Sequence, residues 1–413
     1  MSPMAKRFGL FGRAPTYTVF WSARTVSLFG DAIANVGLVL SVAQSNTRGI
    51  SASGAVGLLL LVQVVPRFLG PFAGTLADRV DQRRLMVWCD GGQALLFGII
   101  ALWLPPLPVL LTLVACTSVL STCFLPAGRS ALPALVGKDD IVPANALLSS
   151  GFNLSLAIGP GLGGLLVVST GVRGALLIDV LSFLCSAALL LRLPALLPSE
   201  SEAGESGWRA FFQETREGLL YLSRHKVARA VGISLFLIVA IVAMDNVALV
   251  FLAENSLRAG AGGYGLLSSI HGVGMVLAPL LVMGWKSKRA STLLLLLGIL
   301  LDGLGTLLTG LAPVLLLAAL AQMLAGCGNG FENVGDNSLI QETVPRKMLG
   351  RVFGTVGSST YIASGFAYIV GGSLLTVLSA RTIFLLAGTG VLAVCLLAWV
   401  ILPRSLDEYR VQD

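Results

Sequence analysis

Residues 74–84 read Gly-Thr-Leu-Ala-Asp-Arg-Val-Asp-Gln-Arg-Arg and lie between two long apolar runs, residues 52–73 and 85–104. Each run is about long enough to cross the roughly 30 Å hydrocarbon core of a bilayer as a helix. Five side chains of the stretch between them are charged, and ionised groups are costly inside hydrocarbon. The stretch therefore predicts a tight turn at a water interface that joins two membrane-spanning helices.

The composition of the whole chain also indicates a membrane protein. Its 413 residues are 55% hydrophobic and 12% charged, and the mean hydropathy is +0.86. A soluble domain carries roughly 25% charged residues, so a large soluble protein is excluded because too few polar residues exist to cover its surface. Backbone groups in hydrocarbon must satisfy their own hydrogen bonds, which predicts helices throughout.

We predict an all-α membrane protein with twelve transmembrane helices. The spans lie near residues 16–44, 52–77, 85–104, 107–127, 143–168, 173–193, 228–253, 264–285, 290–311, 313–337, 353–378 and 381–402. With both termini inside, 22 of the 28 Lys and Arg residues fall on the inner side and four on the outer side. This bias predicts cytoplasmic termini, and it assigns the net charge of +7 to contact with anionic lipid rather than nucleic acid.

One long polar stretch divides the spans six and six. It predicts a six-helix bundle at 1–193, a cytoplasmic linker at 194–227 and a second six-helix bundle at 228–413. The linker begins with a composition typical of disorder. Its second part indicates an amphipathic helix on the inner membrane face, with apolar residues at helical spacing: Trp208, Phe211, Phe212, Leu219 and Leu222.

Neither an enzyme nor a metal or cofactor site is expected. The chain has two histidines and no metal-spaced cluster of Cys and His. All six cysteines fall in apolar spans, where they are read as packing residues.

Glycine-rich motifs stand in corresponding places of the two halves, which suggests an internal repeat. Span 5 contains Gly159-Pro160-Gly-Leu-Gly163-Gly164, and span 11 contains Gly371-Gly372 after a similar Ser-Gly-Phe. The span 5 stretch also spells a dinucleotide-binding fingerprint, but no strand precedes it and no soluble domain surrounds it. Small residues let helices approach closely and a proline bends a helix, so generic helix packing is the structural alternative.

The stretch 74–84 resembles the loop between helices 2 and 3 of transporters of the major facilitator superfamily. The matching residues are Gly74, Leu76, Ala77, Asp78, Arg79, Arg83 and Arg84. The resemblance implies a gating motif in which Asp78 faces the positive end of span 11, and a pseudo-symmetric fold of two six-helix bundles. Asp81 stands where the family usually has glycine.

Other motifs narrow the resemblance to the drug-exporter branch. Gly159-Pro160-x-x-Gly163-Gly164 is similar to the helix 5 motif of exporters, which implies a bend that seals the outer side. Further segments resemble macrolide-efflux and enterobactin-export proteins: Ala23-Arg24 through Gly30-Asp31, Pro126 to Arg129, Ala144-Asn145, and Pro345 to Phe353. Many proton-coupled exporters have an arginine in the middle of span 4. This chain has none there, so the resemblance implies no proton-coupling role for that part of span 4.

Charged and polar residues inside the spans are the candidate site. Each charge costs about 2.5–3.5 kcal/mol on insertion scales, and the resemblance places spans 1, 4, 7 and 10 around a central cavity. Burial disfavours the charged form of an unpaired carboxylate, which suits proton exchange. The candidates are Arg24 and Asp31 in span 1, Asp245 and Asn246 in span 7, His271 in span 8, and Asn329, Glu332, Asn333 and Asp336 in span 10.

Several of these residues have a structural alternative. Arg67 and Asp90, with Arg24, are read as a structural ion cluster. Asp179 and Asp302 are read as interhelical hydrogen-bonding groups, and Asp336 as a partner of Arg351 or Arg129. Asp31 is the first choice for proton coupling or for recognition of substrate charge.

The sequence therefore predicts a secondary transporter of the bacterial inner membrane. The expected activity is proton-coupled antiport, which exports amphipathic small molecules such as drugs or siderophores. The alternative is an uncoupled facilitator or a lipid or lysophospholipid transporter of the same fold. Expected partners are a small-molecule substrate, protons and the lipid bilayer, with the chain acting as a monomer.

Overall fold

The computed structural model describes residues 10–45, 49–137, 140–197, 208–282, 290–345 and 348–412. Within these ranges the regular structure is helical and no strand occurs. The helices are numbered as the predicted spans. They are span 1 (Pro15–Ala43), span 2 (Ala52–Ala77), span 3 (Gln82–Trp103), span 4 (Leu107–Val136), spans 5 and 6 (together Ile141–Leu190), the linker helix (Trp208–Arg224), span 7 (Lys226–Ser256), span 8 (Gly260–Leu281), span 9 (Ala290–Leu311), span 10 (Leu315–Thr343), span 11 (Leu349–Leu374) and span 12 (Ala380–Gln412).

The predicted fold class of twelve membrane-spanning helices is confirmed. Ten helices in the described ranges are long and apolar enough to span a membrane. One of them is 50 residues long and breaks at Gly171, where φ is 74° and ψ is 176°. Glycine adopts positive φ at little cost, so this one residue separates span 5 (141–170) from span 6 (172–190). Span 11, with 26 residues, completes the twelve.

Two spans change helix type along their length. Span 2 contains a 3-10 turn at Val65–Leu69, with Pro66 at its start. Span 7 ends in a π-helical turn at Leu252–Ser256. Such departures from α-helical geometry are frequent where helices serve a function, and both occur in helices that carry candidate site residues.

The chain forms two compact units. Unit 1 contains Met1–Ser41 and Val62–Arg209, and unit 2 contains Val42–Leu61 and Ala210–Asp413. The predicted boundaries at 193 and 228 differ from this division, because the first half of span 2 and the linker helix both group with unit 2.

The first half of span 2 groups with unit 2 because it packs on span 11. The Ser53 hydroxyl donates a hydrogen bond of 2.8 Å to the carbonyl of Gly372. A Cβ atom added to Gly57 would lie 2.4 Å from the carbonyl oxygen of Tyr368, and one added to Gly372 would lie 2.9 Å from that of Ser53. The absence of side chains at both glycines therefore allows the two backbones to touch.

The linker helix packs on the start of span 11. Glu217 forms an ion pair with Arg351. Gly218 is buried beside Thr355, whose side chain would meet a Cβ atom added at the glycine. The predicted helix is therefore present, whereas its position on the membrane face stays a prediction. The side chains of Trp208, Phe211 and Phe212 lie outside the described residues.

The core of unit 1 ties span 1 to span 5. Tyr17 donates a hydrogen bond of 2.7 Å to the carbonyl of Ala144, and the indole of Trp21 donates one of 2.9 Å to that of Leu147. Both donors are amphipathic aromatic side chains whose polar end needs a partner when buried. These two bonds fix the rotation of span 1, and so they fix which of its residues face spans 3 and 6.

Candidate functional site

Span 1 presents one polar face in unit 1. Arg24, Ser27 and Asp31 are spaced by three and four residues, so they lie above one another on the helix. The Arg24 guanidinium carbon lies 4.9 Å from the centre of the Phe124 ring, a cation–π contact. Its charge interacts with the carboxyl groups of Asp31 and Asp90. Arg24 and Asp31 are both partly exposed, so the structure places the two span 1 candidates within electrostatic reach of each other on one face of the helix.

Span 6 supplies a second carboxyl group to this face. Asp179 is fully buried and accepts a hydrogen bond of 3.0 Å from Ser182. A Cβ atom added to Gly30 in span 1 would overlap with both side chains. The backbone of Gly30 therefore packs directly against them. The interpretation of Asp179 as an interhelical hydrogen-bonding group is corrected, since its described hydrogen bond is to its own helix.

The structure brings together two members of the predicted ion cluster of Arg24, Arg67 and Asp90. Asp90 in span 3 is fully buried, and the charges that act on it are those of Arg24 and Asp31. Arg67 lies exposed in the 3-10 turn of span 2. Asp90 therefore belongs with the span 1 face.

An amide pair extends the same region and was not predicted. The Gln63 side chain in span 2 donates a hydrogen bond of 3.1 Å to the Asn35 side chain in span 1. Asn35 follows Asp31 by one helical turn. Polar residues at i and i+4 in an apolar helix are the signal by which Asn35 could have been found.

In unit 2, the span 10 candidates divide into two neighbouring strips of the helix. Asn329 and Asn333 are joined by a side-chain hydrogen bond of 3.1 Å, and Asn333 is exposed. Glu332 and Asp336 are instead 4% and 6% exposed. Glu332 faces span 9, where it would contact a Cβ atom added to Gly298. The structure therefore places the amides and the carboxyl groups in different surroundings.

Asp302 of span 9 stands among the carboxyl groups of unit 2. It interacts electrostatically with Asp245 of span 7 and with Glu332 of span 10. Its described hydrogen bond, 3.4 Å from Thr306, is within its own helix, which corrects the interhelical interpretation. Sequence reasoning left Asp302 out of the candidate site. Asn246, next to Asp245, is exposed.

His271 of span 8 lies beside the side chain of Gln322 in span 10. The Gln322 amide donates a hydrogen bond of 3.4 Å to the Thr309 hydroxyl of span 9. His271 is therefore next to a polar contact between spans 9 and 10, and its role in proton coupling or substrate binding stays a prediction. Arg351 pairs with Glu217, so the described ion pair of this arginine is not with Asp336, and the alternative partner of Asp336, Arg129, stays a prediction.

The motif of residues 74–84 forms the turn that its charges predict. Asp78 ends span 2, is exposed and accepts a hydrogen bond of 3.4 Å from Ser130 at the end of span 4. A Cβ atom added to Gly74 would meet no atom within 4 Å, so no close helix contact requires this glycine here. Arg79 and Arg84 are exposed, and Arg83 is partly buried.

Asp81, the departure from the family motif, is the N-cap of span 3. Its carboxylate accepts hydrogen bonds from the amides of Arg83 at 3.0 Å and Arg84 at 3.5 Å. It also accepts one of 3.2 Å from Leu196 at the start of the linker. An aspartate directly before a helical run is a sequence signal for a cap, and it could have indicated this role.

Asp81→Ala is expected to lower the thermal unfolding midpoint of the purified protein. Loss of an N-cap costs about 0.5–2 kcal/mol, and the Leu196 amide loses its acceptor as well. Intrinsic fluorescence during heating in detergent measures the change. Asp81→Asn keeps an acceptor oxygen and should lose much less. An alanine variant as stable as the parent protein would contradict the capping role.

The span 5 motif packs against span 1 beside Asp31. A Cβ atom added to Gly159 would lie 2.4 Å from that of Ala32, and one added to Gly163 would lie 3.0 Å from the carbonyl oxygen of Ile33. Gly164 is buried, and Pro160 lies within the continuous helix. The motif thus holds the turn of span 1 that carries Asp31.

The described residues contain no group of three or more His, Cys, Asp or Glu side chains placed to hold a metal ion. The six cysteines are free thiols. The described site residues offer buried carboxyl groups, one partly exposed guanidinium and exposed amides. Such groups bind protons and polar parts of a small molecule.

Comparison with known proteins gives the family. The Major Facilitator Superfamily model matches residues 20–258 and 231–412. A transporter of Bacillus subtilis, the uncharacterized MFS-type transporter YfiS, is 28% identical over 89% of this chain and 88% of its own length. The putative bacilysin exporter BacE of the same species is 26% identical over 82% of each chain. Macrolide efflux protein A of Streptococcus pyogenes is 23% identical over 96% of this chain and 97% of its own.

Solved structures agree on the fold. The nucleoside transporter NupG is 13% identical with a TM-score of 0.69, covering 93% of this chain and 98% of its own. The peptide transporter-family protein PepTSo is 11% identical with a TM-score of 0.74, covering 97% and 99%. At this identity the likeness shows the fold alone. The two matches of the family model together cover almost the whole sequence. The chain therefore belongs to the Major Facilitator Superfamily of membrane transporters, within which it resembles the drug exporters.

Proposed function

We propose that this transporter is a proton-coupled antiporter that exports amphipathic small molecules, such as drugs or siderophores, by alternating access. The observation that carries the proposal is the environment of Asp31. It is partly exposed, it interacts with Arg24, and its helical turn is packed by the glycines of span 5. A carboxyl group beside a cation on a partly exposed face can bind and release a proton as its surroundings change.

The direction of transport rests on the relatives and on the motif of span 5. The names of two relatives state export of bacilysin and efflux of macrolides. Both names describe movement out of the cell, which supports export here. Asn246 and Asn333 offer exposed amide groups to a substrate that has both polar and apolar parts.

The same proposal covers the arrangement in the membrane. Two groups of six spans rock against each other, joined by the linker of residues 194–227. The charge bias of the loops supports cytoplasmic termini, and the proposal takes the chain to act as a monomer in a bacterial inner membrane. Residues 74–84, with Asp78 and its arginines, then lie on the cytoplasmic side as a gate.

A susceptibility panel in an efflux-deficient bacterial host tests this function. Cells that express the protein should tolerate higher concentrations of some amphipathic antibiotics or siderophores than cells with an empty vector. A proton uncoupler should then raise the accumulation of the exported compound to the level of the empty-vector control. Export that continues after the pH gradient collapses would overturn proton coupling and favour an uncoupled facilitator or a lipid transporter.

A further inference from the structure

Unit 1 contains a continuous row of buried polar side chains between spans 1, 3 and 6. Span 6 contributes Asp179, Ser182 and Ser186, spaced by three and four residues on one face of the helix. Span 1 contributes Ser27 on the face between Arg24 and Asp31, and span 3 contributes Asp90, which lies beside Ser186. Successive members on one helix are about one turn, or roughly 5.4 Å, apart. We call the five residues Asp179, Ser182, Ser186, Ser27 and Asp90 the oxygen row.

Several oxygen atoms of this row have no hydrogen-bond partner among the described residues. They are both carboxyl oxygens of Asp90, one of Asp179, and the hydroxyls of Ser27 and Ser186. These four residues are all 0% exposed. A buried hydroxyl without a partner costs about 1–3 kcal/mol on mutational scales, and an unpaired ion costs considerably more. Ser186 lies beside Asp90, and Ser27 lies on span 1 between Arg24 and Asp31. A species bound among these groups would satisfy the buried oxygen atoms.

Charge gives the sign of that species. The charge of Arg24 interacts with the carboxyl groups of Asp31 and Asp90. The carboxyl group of Asp179 is instead close to two groups of its own charge, Asp31 and Asp90. The Cys89 thiol, next to Asp90 on span 3, interacts with Asp90 and with Cys123 of span 4. The region thus holds one guanidinium and three carboxyl groups, and full ionisation would leave excess negative charge in an apolar interior. A species bound among these groups would therefore be a cation.

The groups available to hold this cation favour a proton over a metal ion. Among the described residues, no three acidic, Cys or His side chains lie close enough together to hold a metal ion. A proton needs only one carboxyl oxygen and an acceptor, and a serine hydroxyl both accepts and donates. Ser182 already donates to the carboxyl group of Asp179.

We infer that the oxygen row of Asp179, Ser182, Ser27, Ser186 and Asp90 binds an exchangeable proton inside unit 1 and links it to Asp31. The inference rests on the proposed proton-coupled transport and adds a second set of groups to it. When the proton moves from one carboxyl group towards another, a serine oxygen accepts it and the same serine releases its own hydroxyl proton onward. No atom is gained or lost, and the carboxyl group left behind is ionised.

The carboxyl stretching band in infrared difference spectra between acidic and alkaline buffer tests this inference on the purified full-length protein. The parent protein should show a band of protonated carboxyl groups that disappears at alkaline pH. Asp90→Asn and Asp179→Asn should each remove a part of this band. Ser186→Ala should shift the frequency of this band, because the hydrogen bonding of the protonated carboxyl group changes. Ser118→Ala, whose hydroxyl bonds to its own helix at Val114, is the matched control and should leave the band unchanged.

Other outcomes overturn the inference. If both asparagine variants retain the whole pH-dependent band, the row holds no exchangeable proton. If sodium chloride abolishes the band where choline chloride does not, the site binds sodium instead. Should an asparagine variant fail to fold, an unchanged band position in Ser186→Ala would be sufficient to reject the row.

The infrared result is independent of transport. A band that follows this pattern in a protein whose export ignores the pH gradient would reject the proposed function and keep the proton-binding row. Coupled export without such a band would reject the row and keep the proposed function.

Discussion

Asp31→Asn is expected to abolish substrate-driven proton movement in proteoliposomes. The amide has nearly the shape of the carboxyl group but cannot bind or release a proton, and it no longer balances the charge of Arg24. A pH-sensitive dye inside the vesicles measures the proton flux after addition of a compound that the susceptibility panel has identified. The expected flux equals that of vesicles without protein.

Two variants serve as controls for Asp31. Asp140→Asn makes the same chemical change at a surface residue, which lies 3.9 Å from Arg13, and should keep full flux. Asp31→Glu keeps a titratable group and should restore part of the flux. Coupled proton movement in Asp31→Asn that matches the parent protein would remove Asp31 from the mechanism and move the search to the carboxyl groups of unit 2.

Gly57→Ala is expected to open the contact between span 2 and span 11. The new methyl group would lie 2.4 Å from the backbone oxygen of Tyr368, and a backbone atom cannot rotate away as a side chain can. Forced overpacking costs about 1–3 kcal/mol, which shifts an equilibrium about 5- to 150-fold. The closed arrangement of these two helices should become rarer by that factor.

A cysteine introduced by Ser53→Cys in a cysteine-free background reports this change. Ser53 is 6% exposed, so a water-soluble maleimide labels it only when the contact opens. Gly57→Ala should raise the labelling rate and lower export. Gly70→Ala, in the same span with no atom within 4 Å of the added Cβ, should change neither. Equal labelling rates in the two alanine variants would show that the contact does not limit opening.

The sequence predicted the helices well because each depends on a local property. Apolar length, interrupted by charge, indicates a span wherever it occurs, and the break at Gly171 falls in the gap predicted between spans 5 and 6. The grouping of Val42–Leu61 with unit 2 could not be predicted in this way. It arises from the contact of Ser53 with Gly372, which no local pattern encodes.

The candidate site was predicted in its residue types and less well in its arrangement. Asn329 and Asn333 are four residues apart in span 10, and residues four apart meet on a helix, so their hydrogen bond is of a kind that spacing can predict. The spacing could not predict that Glu332, on the neighbouring face of the helix, would be buried against span 9. That outcome depends on Gly298, which lets the two helices approach. The burial of a side chain in a helical bundle depends on the neighbouring helix. The residue pattern of one helix alone therefore cannot predict it.

The packing of span 2 on span 11 has a consequence for biosynthesis. The two ends of the hydrogen bond between Ser53 and Gly372 are separated by 319 residues. At about 5–20 residues per second, the ribosome needs roughly 15–60 s to make the intervening chain. During that time the first half of span 2 lies in the bilayer without its final neighbour, shielded only by lipid. The contact that Gly57 and Gly372 allow is therefore among the last to form on a newly made chain.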